Sequence, residues 1–370
     1  MTHSTFNRRH VLQSVVAASC ARAFWIGHSP VKAQEPLSTL YIADGVDRAV
    51  QQGANHLAAS QRDDGAIADR SHHVAMTALA IMAMASIGTQ PGDASALGKA
   101  MQRAIDFVLL PNHQDAKGYF GESDGSRMYG HGIITLMLTE VLGMGATVQQ
   151  NTRIHASLVP ALQLILAAQQ EPKPESHRGG WRYTPTSHDS DLSVSVWQLM
   201  ALRSAKNDGL DIPGEAIDAA IGYLKASYAG RRGRSNEVPE VSGFTYTPGS
   251  HQPTFTMTSA GLLAMQVCGL YDSPMVSGAA EWLLQHPPQT NERFFFYGIY
   301  YYAQGMHQVG GKAAKTSQLM VESLLLDAQR NDGSWWAAGG EEKNYGTVYA
   351  TSLAVLSLSV RYHYLPIYQR

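Results

Sequence analysis

The chain repeats itself, and this limits its fold more than any other feature of the sequence. Gln61-Arg-Asp-Asp-Gly65-Ala-Ile67 leads into the run Met76 to Met84, and Gln329-Arg-Asn-Asp-Gly333-Ser-Trp335 leads into Ala350 to Leu358. Each is a Gln-x-x-x-Gly-x-apolar turn followed by small and aliphatic residues. Weaker copies lie between them: Gly118-Tyr-Phe120 before Gly130 to Leu138, Gly179-Gly-Trp181 before Ser193 to Leu202, and Gly243-Phe-Thr-Tyr246 before Thr258 to Met265. Phe294 to Ala303 is the most degenerate copy, which makes about six in all. A unit that recurs at this spacing cannot bury its apolar face alone and stacks on its neighbours instead.

Aligned on the small-residue segments, Thr77, Gly132, Ser195, Thr258, Gly298 and Thr351 fall in register, 40 to 63 residues apart. That interval holds two helices per unit. The segments ahead of the turns, Val46 to Ala59, Ala96 to Leu110, Ile154 to Gln169, Ile217 to Ser227, Ala279 to Gln285 and Thr316 to Gln329, carry apolar residues at helical spacing. They read as outer helices. The small residues of the partner segments, such as Ala78, Ala80, Ala83 and Gly261, allow close packing toward a crowded axis. The expected architecture is all-α, an (α/α)6 toroid of about six helix pairs. With 44% hydrophobic and 16% charged residues there is ample material for its core, and no uncharged apolar stretch is long enough to span a membrane.

Residues 1–33 read as an address and residues 34–370 as the single repeat domain. Arg8-Arg9 ahead of the apolar segment Ser14 to Ala21, with small residues around Ala33, is similar to a twin-arginine export signal, which implies a periplasmic protein. Cleavage would leave 24 basic against 30 acidic residues, a net charge near −6. That balance gives no expectation of nucleic acid or an anionic membrane as partner. Cys268 would be the one cysteine left, so no internal disulfide is expected. Gly230-Arg-Arg-Gly-Arg-Ser235 reads as a short basic, solvated turn.

The segment Gln329 to Trp335, with Leu325 ahead of it, resembles the QW motif of squalene-hopene and oxidosqualene cyclases. The block Gly179 to Pro185, the run Ser190 to Asn207 and the tail Leu365 to Arg370 resemble exported bacterial proteins with prenyltransferase and squalene oxidase repeats, a resemblance covering residues 45–365. It implies a toroid of the terpenoid cyclase and protein prenyltransferase superfamily that holds a hydrophobic, isoprenoid ligand, with residual acid-initiated cyclase or isomerase activity. The family's cyclases have two helical domains and this chain has one. The alternative is a non-catalytic exported scaffold that binds protein, peptide or glycan.

Asp189-Ser-Asp191-Leu-Ser193 is similar to the Asp-x-Asp-Asp-Thr-Ala motif of squalene-hopene cyclases. On that match Asp191 takes the place of the acid that protonates an alkene and Asp189 that of its supporting carboxylate; Leu192 replaces the third Asp. Paired carboxylates keep one member neutral until use. The competing reading of Asp191 is a helix N-cap, and a helix N-terminus favours the ionised carboxylate. Shifting Asp191 by the repeat interval gives His73, Met128, Thr254, Phe294 and Thr347. His73, Asp189, Asp191, Thr254 and Thr347 are accordingly expected around one mouth of the toroid. Trp181, Tyr183, Trp197, Tyr246, Tyr297, Tyr301, Trp335 and Tyr345 are candidates for an aromatic ligand wall, with Trp181 and Trp335 also readable as plugs between repeats. The prenyltransferase zinc ligands are missing: Gln266 stands two residues before Cys268, and Gly346 falls where the family has its His. Neither a metal nor a cofactor is expected, and the oligomeric state is left open.

Overall fold

The computed structural model describes residues 43–230 and 241–369. The expected export signal and the basic residues Arg231 to Arg234 lie outside them. Twelve α-helices run through the described residues: α1 (Gly45–Ala59), α2 (His73–Ser86), α3 (Ala96–Val108), α4 (Arg127–Glu140), α5 (Val148–Gln170), α6 (Leu192–Asn207), α7 (Gly214–Ala226), α8 (Phe255–Val267), α9 (Pro274–Gln285), α10 (Phe295–Val309), α11 (Gly311–Ala328) and α12 (Gly346–Leu358). The even-numbered helices contact one another in a closed circle, α2 to α4 and onward to α12, which returns to α2. Each odd-numbered helix lies outside, chiefly against the inner helix that precedes it, and α1 covers α12 to close the ring. This is the (α/α)6 toroid expected from the repeat. None of the described helices is long and apolar enough to cross a membrane.

The two layers differ in how they are buried. α1 hides a single stripe, Val46, Ala49, Val50, Gly53, Ala54 and Leu57, at the spacing of one helix face. By contrast, every residue of α2 from Val74 to Ser86 and every residue of α8 is buried. A helix apolar all round belongs in a core, and its few polar side chains need partners there. The register residues supply one. Thr77, Ser195, Thr258 and Thr351 accept hydrogen bonds through their hydroxyls from the backbone N–H of Ile67, Trp181, Phe244 and Trp335, at 3.0, 2.8, 3.1 and 3.0 Å. In the second repeat the expected Gly132 does not take this part. His131 does, with Nδ1 accepting from Phe120 N–H at 3.3 Å. Gly132 is instead a close-approach site, where a Cβ would fall 2.5 Å from the Gln198 side-chain nitrogen.

The repeated Gln and Gly have one shared task. Gln61, Gln114, Gln169 and Gln329 each donate through Nε2 to the carbonyl of the turn glycine (Gly65, Gly118, Gly179, Gly333) and to a carbonyl of the next outer helix (Ala100, Ser157, Ala216, Ala49), all at 2.8 to 3.0 Å. Each glycine has positive φ, between 81° and 97°. A Cβ on any of them would sit 2.0 to 2.7 Å from a carbonyl oxygen of the neighbouring outer helix, so only glycine fits. Gln329 to Ala49 is the bond that closes the circle, across 280 residues.

The foot of the ring, at the C-terminal ends of the inner helices, is covered by the chain's tail. The 3-10 turn Pro366–Tyr368 contacts α6. Ile367 N–H donates to Glu140 at 3.3 Å, Ser204 donates to the other oxygen of Glu140 at 2.7 Å, and the hydroxyls of Tyr300 and Tyr368 hydrogen-bond.

Candidate functional site

The opposite end, where the inner helices begin, is a mouth built from unpaired helix N–H groups and the groups that satisfy them. Asp191 caps α6 by accepting from Val194 N–H at 3.0 Å, and Thr254 caps α8 by accepting from Met257 N–H at 3.2 Å. Elsewhere the cap comes from the next repeat. Asp124 accepts from Val74 and Ala75 N–H at the start of α2, at 3.0 and 3.1 Å. Glu342 accepts from Phe296 and Tyr297 N–H at the start of α10, both at 2.9 Å, and Asp69 from Thr347 N–H and hydroxyl at the start of α12, at 2.6 and 2.8 Å. The carbonyls of Tyr183 and Tyr246 serve Met128 of α4 and Leu192 of α6 in the same manner. Carboxylates are favoured at these positive helix ends. The capping role that the register suggests at Thr347 is therefore corrected, and the register positions His73, Met128 and Thr347 lie just inside their helices: the N-cap residues are His72, Ser126 and Tyr345, none making a side-chain cap bond, because neighbouring loops supply the acceptors. Phe294 does sit at the N-cap of α10, again without a side-chain bond.

Asp191 is fully buried. Its Oδ1 accepts from Ser193 hydroxyl at 2.5 Å as well as from Val194, and its Oδ2 faces Arg182 Nε at 3.4 Å without a hydrogen bond. Burial pushes the Asp191 carboxyl above its ordinary value, against the pull of Ser193, Val194 N–H and Arg182. Asp189 does not share a proton with it. Arg182 stands between the two, with Nη1 3.1 Å from Asp189 Oδ2. The guanidinium also lies 4.9 Å from the ring centre of Tyr183 and 5.6 Å from that of Tyr246, whose hydroxyls hydrogen-bond each other.

Below this cluster the lumen is bridged from α6 to α10. Trp197 stacks on Tyr300 at 5.8 Å and 8°, and its Nε1 donates to Tyr297 hydroxyl at 2.9 Å. Tyr297 donates to Ser193 carbonyl at 2.9 Å and accepts from Tyr301 at 3.2 Å. Trp197, Tyr300 and Tyr301 are buried outright. Tyr129, Arg182, Tyr183, Tyr246, Tyr297 and Tyr345 remain half-buried. Tyr129 hydrogen-bonds Ser193, and Tyr345 lies against His72 and Tyr349.

The structure thus brings Tyr183, Tyr246, Asp189 and Asp191 together through Arg182, and Trp197, Tyr297 and Tyr301 beneath them. It sets Trp181 and Trp335 apart. Both are buried in the wall, donating Nε1 to the outer-helix carbonyls of Ile165 and Leu325 at 2.8 and 2.7 Å, as plugs between layers. His73, with Nε2 3.4 Å from Arg62, and the exposed Thr254 lie at the rim. The sequence reading missed Arg182, Ser193, Tyr129, Asp69, Asp124 and Glu342. Two signals were present: Arg182 sits inside the repeated Trp181–Tyr183 block, and Asp69 and Asp124 each stand four residues ahead of the repeat positions His73 and Met128. Among the described residues no three His, Cys, Asp or Glu gather as metal ligands.

No family profile matches the chain, and no curated protein matches it in sequence. Solved structures do resemble it. An inactive variant of the α-1,6-mannanase of Salegentibacter, in complex with α-1,6-mannotriose, superposes with a TM-score of 0.59 at 8% identity over 86% of this chain and 99% of that one. Cellobiose 2-epimerase from Bacillus thermoamylovorans gives 0.59 at 10% identity over 85% and 99%. A type II terpene cyclase variant from Scytonema, in complex with geranylgeranyl dihydroxybenzoate, gives 0.52 at 13% identity over 87% and 98%. What the chain shares with a mannanase, an epimerase and a terpene cyclase is the toroid fold.

Proposed function

We propose that the mouth of the toroid is a non-catalytic glycan-binding site, in a protein exported on its N-terminal signal. The observation that carries this reading is the polar aromatic surface of the mouth: half-buried Tyr183 and Tyr246 lie against Arg182, half-buried Tyr129 lies against Tyr183, and Tyr297 sits beneath them beside the Trp197–Tyr300 stack. Tyrosine offers a flat apolar face and a hydroxyl at once. A sugar ring matches that pairing, with C–H faces to lie on the rings and hydroxyls for the surrounding donors and acceptors. An isoprenoid drawn down the axis would need the lumen that Trp197, Tyr300 and Tyr301 occupy.

Asp191 on this reading is a positioning group. It caps α6 and anchors Arg182, which anchors Asp189 in turn. An acid that protonates carbon must wait in its neutral form, and a guanidinium at 3.4 Å works against that. The isoprenoid reading keeps one point in its favour, the upward push of burial on Asp191.

The test is calorimetric titration of the exported protein with α-1,6-mannotriose, cellobiose and other soluble oligosaccharides, beside geranylgeraniol in detergent. An oligosaccharide should bind, come back unaltered, and bind about tenfold more weakly to Tyr183→Ala, a loss of about 1.4 kcal/mol. Retention of the isoprenoid with no oligosaccharide bound would replace this reading with the cyclase-like one.

A further inference from the structure

The foot carries a constellation that the mouth does not use. His307, in the last turn of α10, and His363, at the head of the tail, hydrogen-bond to each other through their Nε2 atoms, 3.1 Å apart. Their ring centres are 4.7 Å apart and the planes tilt by 54°. They border a shallow, open pocket that Gln304, Ser359 and Tyr368 also line. From this geometry we propose a two-histidine binding site for a first-row divalent cation of the zinc, nickel or copper class, clamping the tail onto the foot of the toroid.

The spacing supports this directly. Two imidazole nitrogens bound to one ion at about 2.0–2.1 Å, with an angle at the metal between about 90° and 109°, lie about 2.9–3.4 Å apart. The observed 3.1 Å falls inside that window, and an ion would replace the hydrogen bond between the two rings. The donors are imidazole nitrogens, which suit zinc, copper and nickel rather than magnesium or calcium. His307 is half-buried and His363 exposed, which leaves the remaining coordination positions to water or an added ligand.

The backbone sets the position of His363. It holds the left-handed conformation, φ 55° and ψ 32°, as the cap that ends the 3-10 turn Ser359–Tyr362, and its carbonyl accepts from Gln369 Nε2 at 2.9 Å. Here it turns the imidazole back toward α10. Three residues after Leu365 the tail reaches Tyr368, whose hydroxyl meets Tyr300. An ion at the histidine pair would thus hold the segment that covers the foot, and it would bind the folded chain in preference to the unfolded one.

The experiment is titration of the full chain with zinc chloride, and separately nickel chloride, at about pH 7.5. Calorimetry and the thermal midpoint are read for wild type, His363→Ala and His307→Gln, each checked by circular dichroism. One ion per chain with a Kd near or below about 100 μM is expected, together with a rise in the midpoint that EDTA reverses. Either substitution should weaken binding at least tenfold. His363 lies in the exposed tail, so His363→Ala carries the result if His307→Gln does not fold. Equal binding by wild type and His363→Ala, or no binding at about 1 mM metal, overturns the proposal.

Discussion

Among the described residues four of the six turns of this ring carry a glutamine staple, and the fourth and fifth show none. In the first, second, third and sixth repeats a glutamine ties the turn glycine to the next outer helix, so an unbroken chain of staples runs from α11 through α1, α3 and α5 to α7. Among the described residues the fourth and fifth turns show other devices. The fourth pairs with itself, Thr245 N–H to Ser227 carbonyl and Ala229 N–H to Gly243 carbonyl, both at 2.9 Å. The fifth leans on the sixth, through Glu342 on α10 and the Arg293–Glu341 ion pair. A closed ring can thus be held by local repetition over most of its circumference and by individual contacts elsewhere. The individual side is the one expected to open first, because fewer of its backbone groups are bonded across repeats.

The widest gap between the two sectors should appear at the aromatic plugs. Trp335 is fully buried, donates Nε1 to the Leu325 carbonyl and donates its backbone N–H to the Thr351 hydroxyl. Trp335→Ala should cost about 3–5 kcal/mol, as for large-to-small changes in a packed core. Phe294, the half-buried residue that opens the fifth copy, should cost less than about 2 kcal/mol on the same change, since it leaves no enclosed void. Denaturant midpoints of the two variants decide the matter. Equal losses would mean that the stapled and unstapled sectors are not energetically distinct.

His131 sharpens the comparison by pH. It fills, with an imidazole, the place that a hydroxyl fills in four of the other turns. Nδ1 accepts from Phe120 N–H and Nε2 donates to Ala161 carbonyl at 3.1 Å, so the ring is held neutral. Burial lowers its pKa to about 4 from an ordinary 6.5, with the Ala161 bond and Asp115 opposing. A group whose folded pKa is depressed takes up its proton more readily in the unfolded chain. Its stabilisation is therefore intact above pH 6.5 and is lost as pH falls from 6.5 toward about 4. The loss should reach about 3 kcal/mol at the acid end. The buried carboxyls of Asp191 and Glu342, pushed up by burial, have the opposite sign. The slope is accordingly read as wild type minus His131→Gln, in thermal midpoints across that window. A difference that stays flat would place the strain elsewhere.

The same division explains what could be read in advance. Gln61 and Gln329 stand in sequences so alike that the repeat, the helix pairs and the toroid follow from them. Gln114 keeps the same spacing to Gly118 without the flanking likeness, and Gln169 is ten residues from Gly179, so both staples show themselves only in space. The mouth was legible in part for a related reason. Inner-helix starts follow from the register, and so do Asp191 and Thr254, which cap their own helices. Asp69, Asp124 and Glu342 cap helices of the preceding repeat, the first across 278 residues; the shared four-residue offset of Asp69 and Asp124 stands in the sequence, but which helix each one caps does not. Trp181 and Trp335 illustrate the converse: aromatic type alone did not separate a wall plug from a ligand platform, and the partner of Nε1 did.

The smallest expected effect bears most directly on closure. Gln329→Ala deletes two hydrogen bonds and leaves the carbonyls of Ala49 and Gly333 without that donor, at a cost of about 1–3 kcal/mol. Gln114→Ala deletes an equivalent pair, to Gly118 and Ser157, and should cost a similar amount. The two differ in what they free. Gln114 links the second repeat to the third, which the chain already joins; Gln329 links the sixth to the first, which the chain does not. Amide hydrogen exchange should therefore separate variants that denaturation does not. Gln329→Ala should speed exchange in α1 and α12 together, because α1 covers α12 only through noncovalent contacts. Gln114→Ala should speed exchange near its own turn and leave α12 as in wild type. If both variants loosen the same helices, the ring responds as one cooperative body and the division into sectors has no thermodynamic meaning.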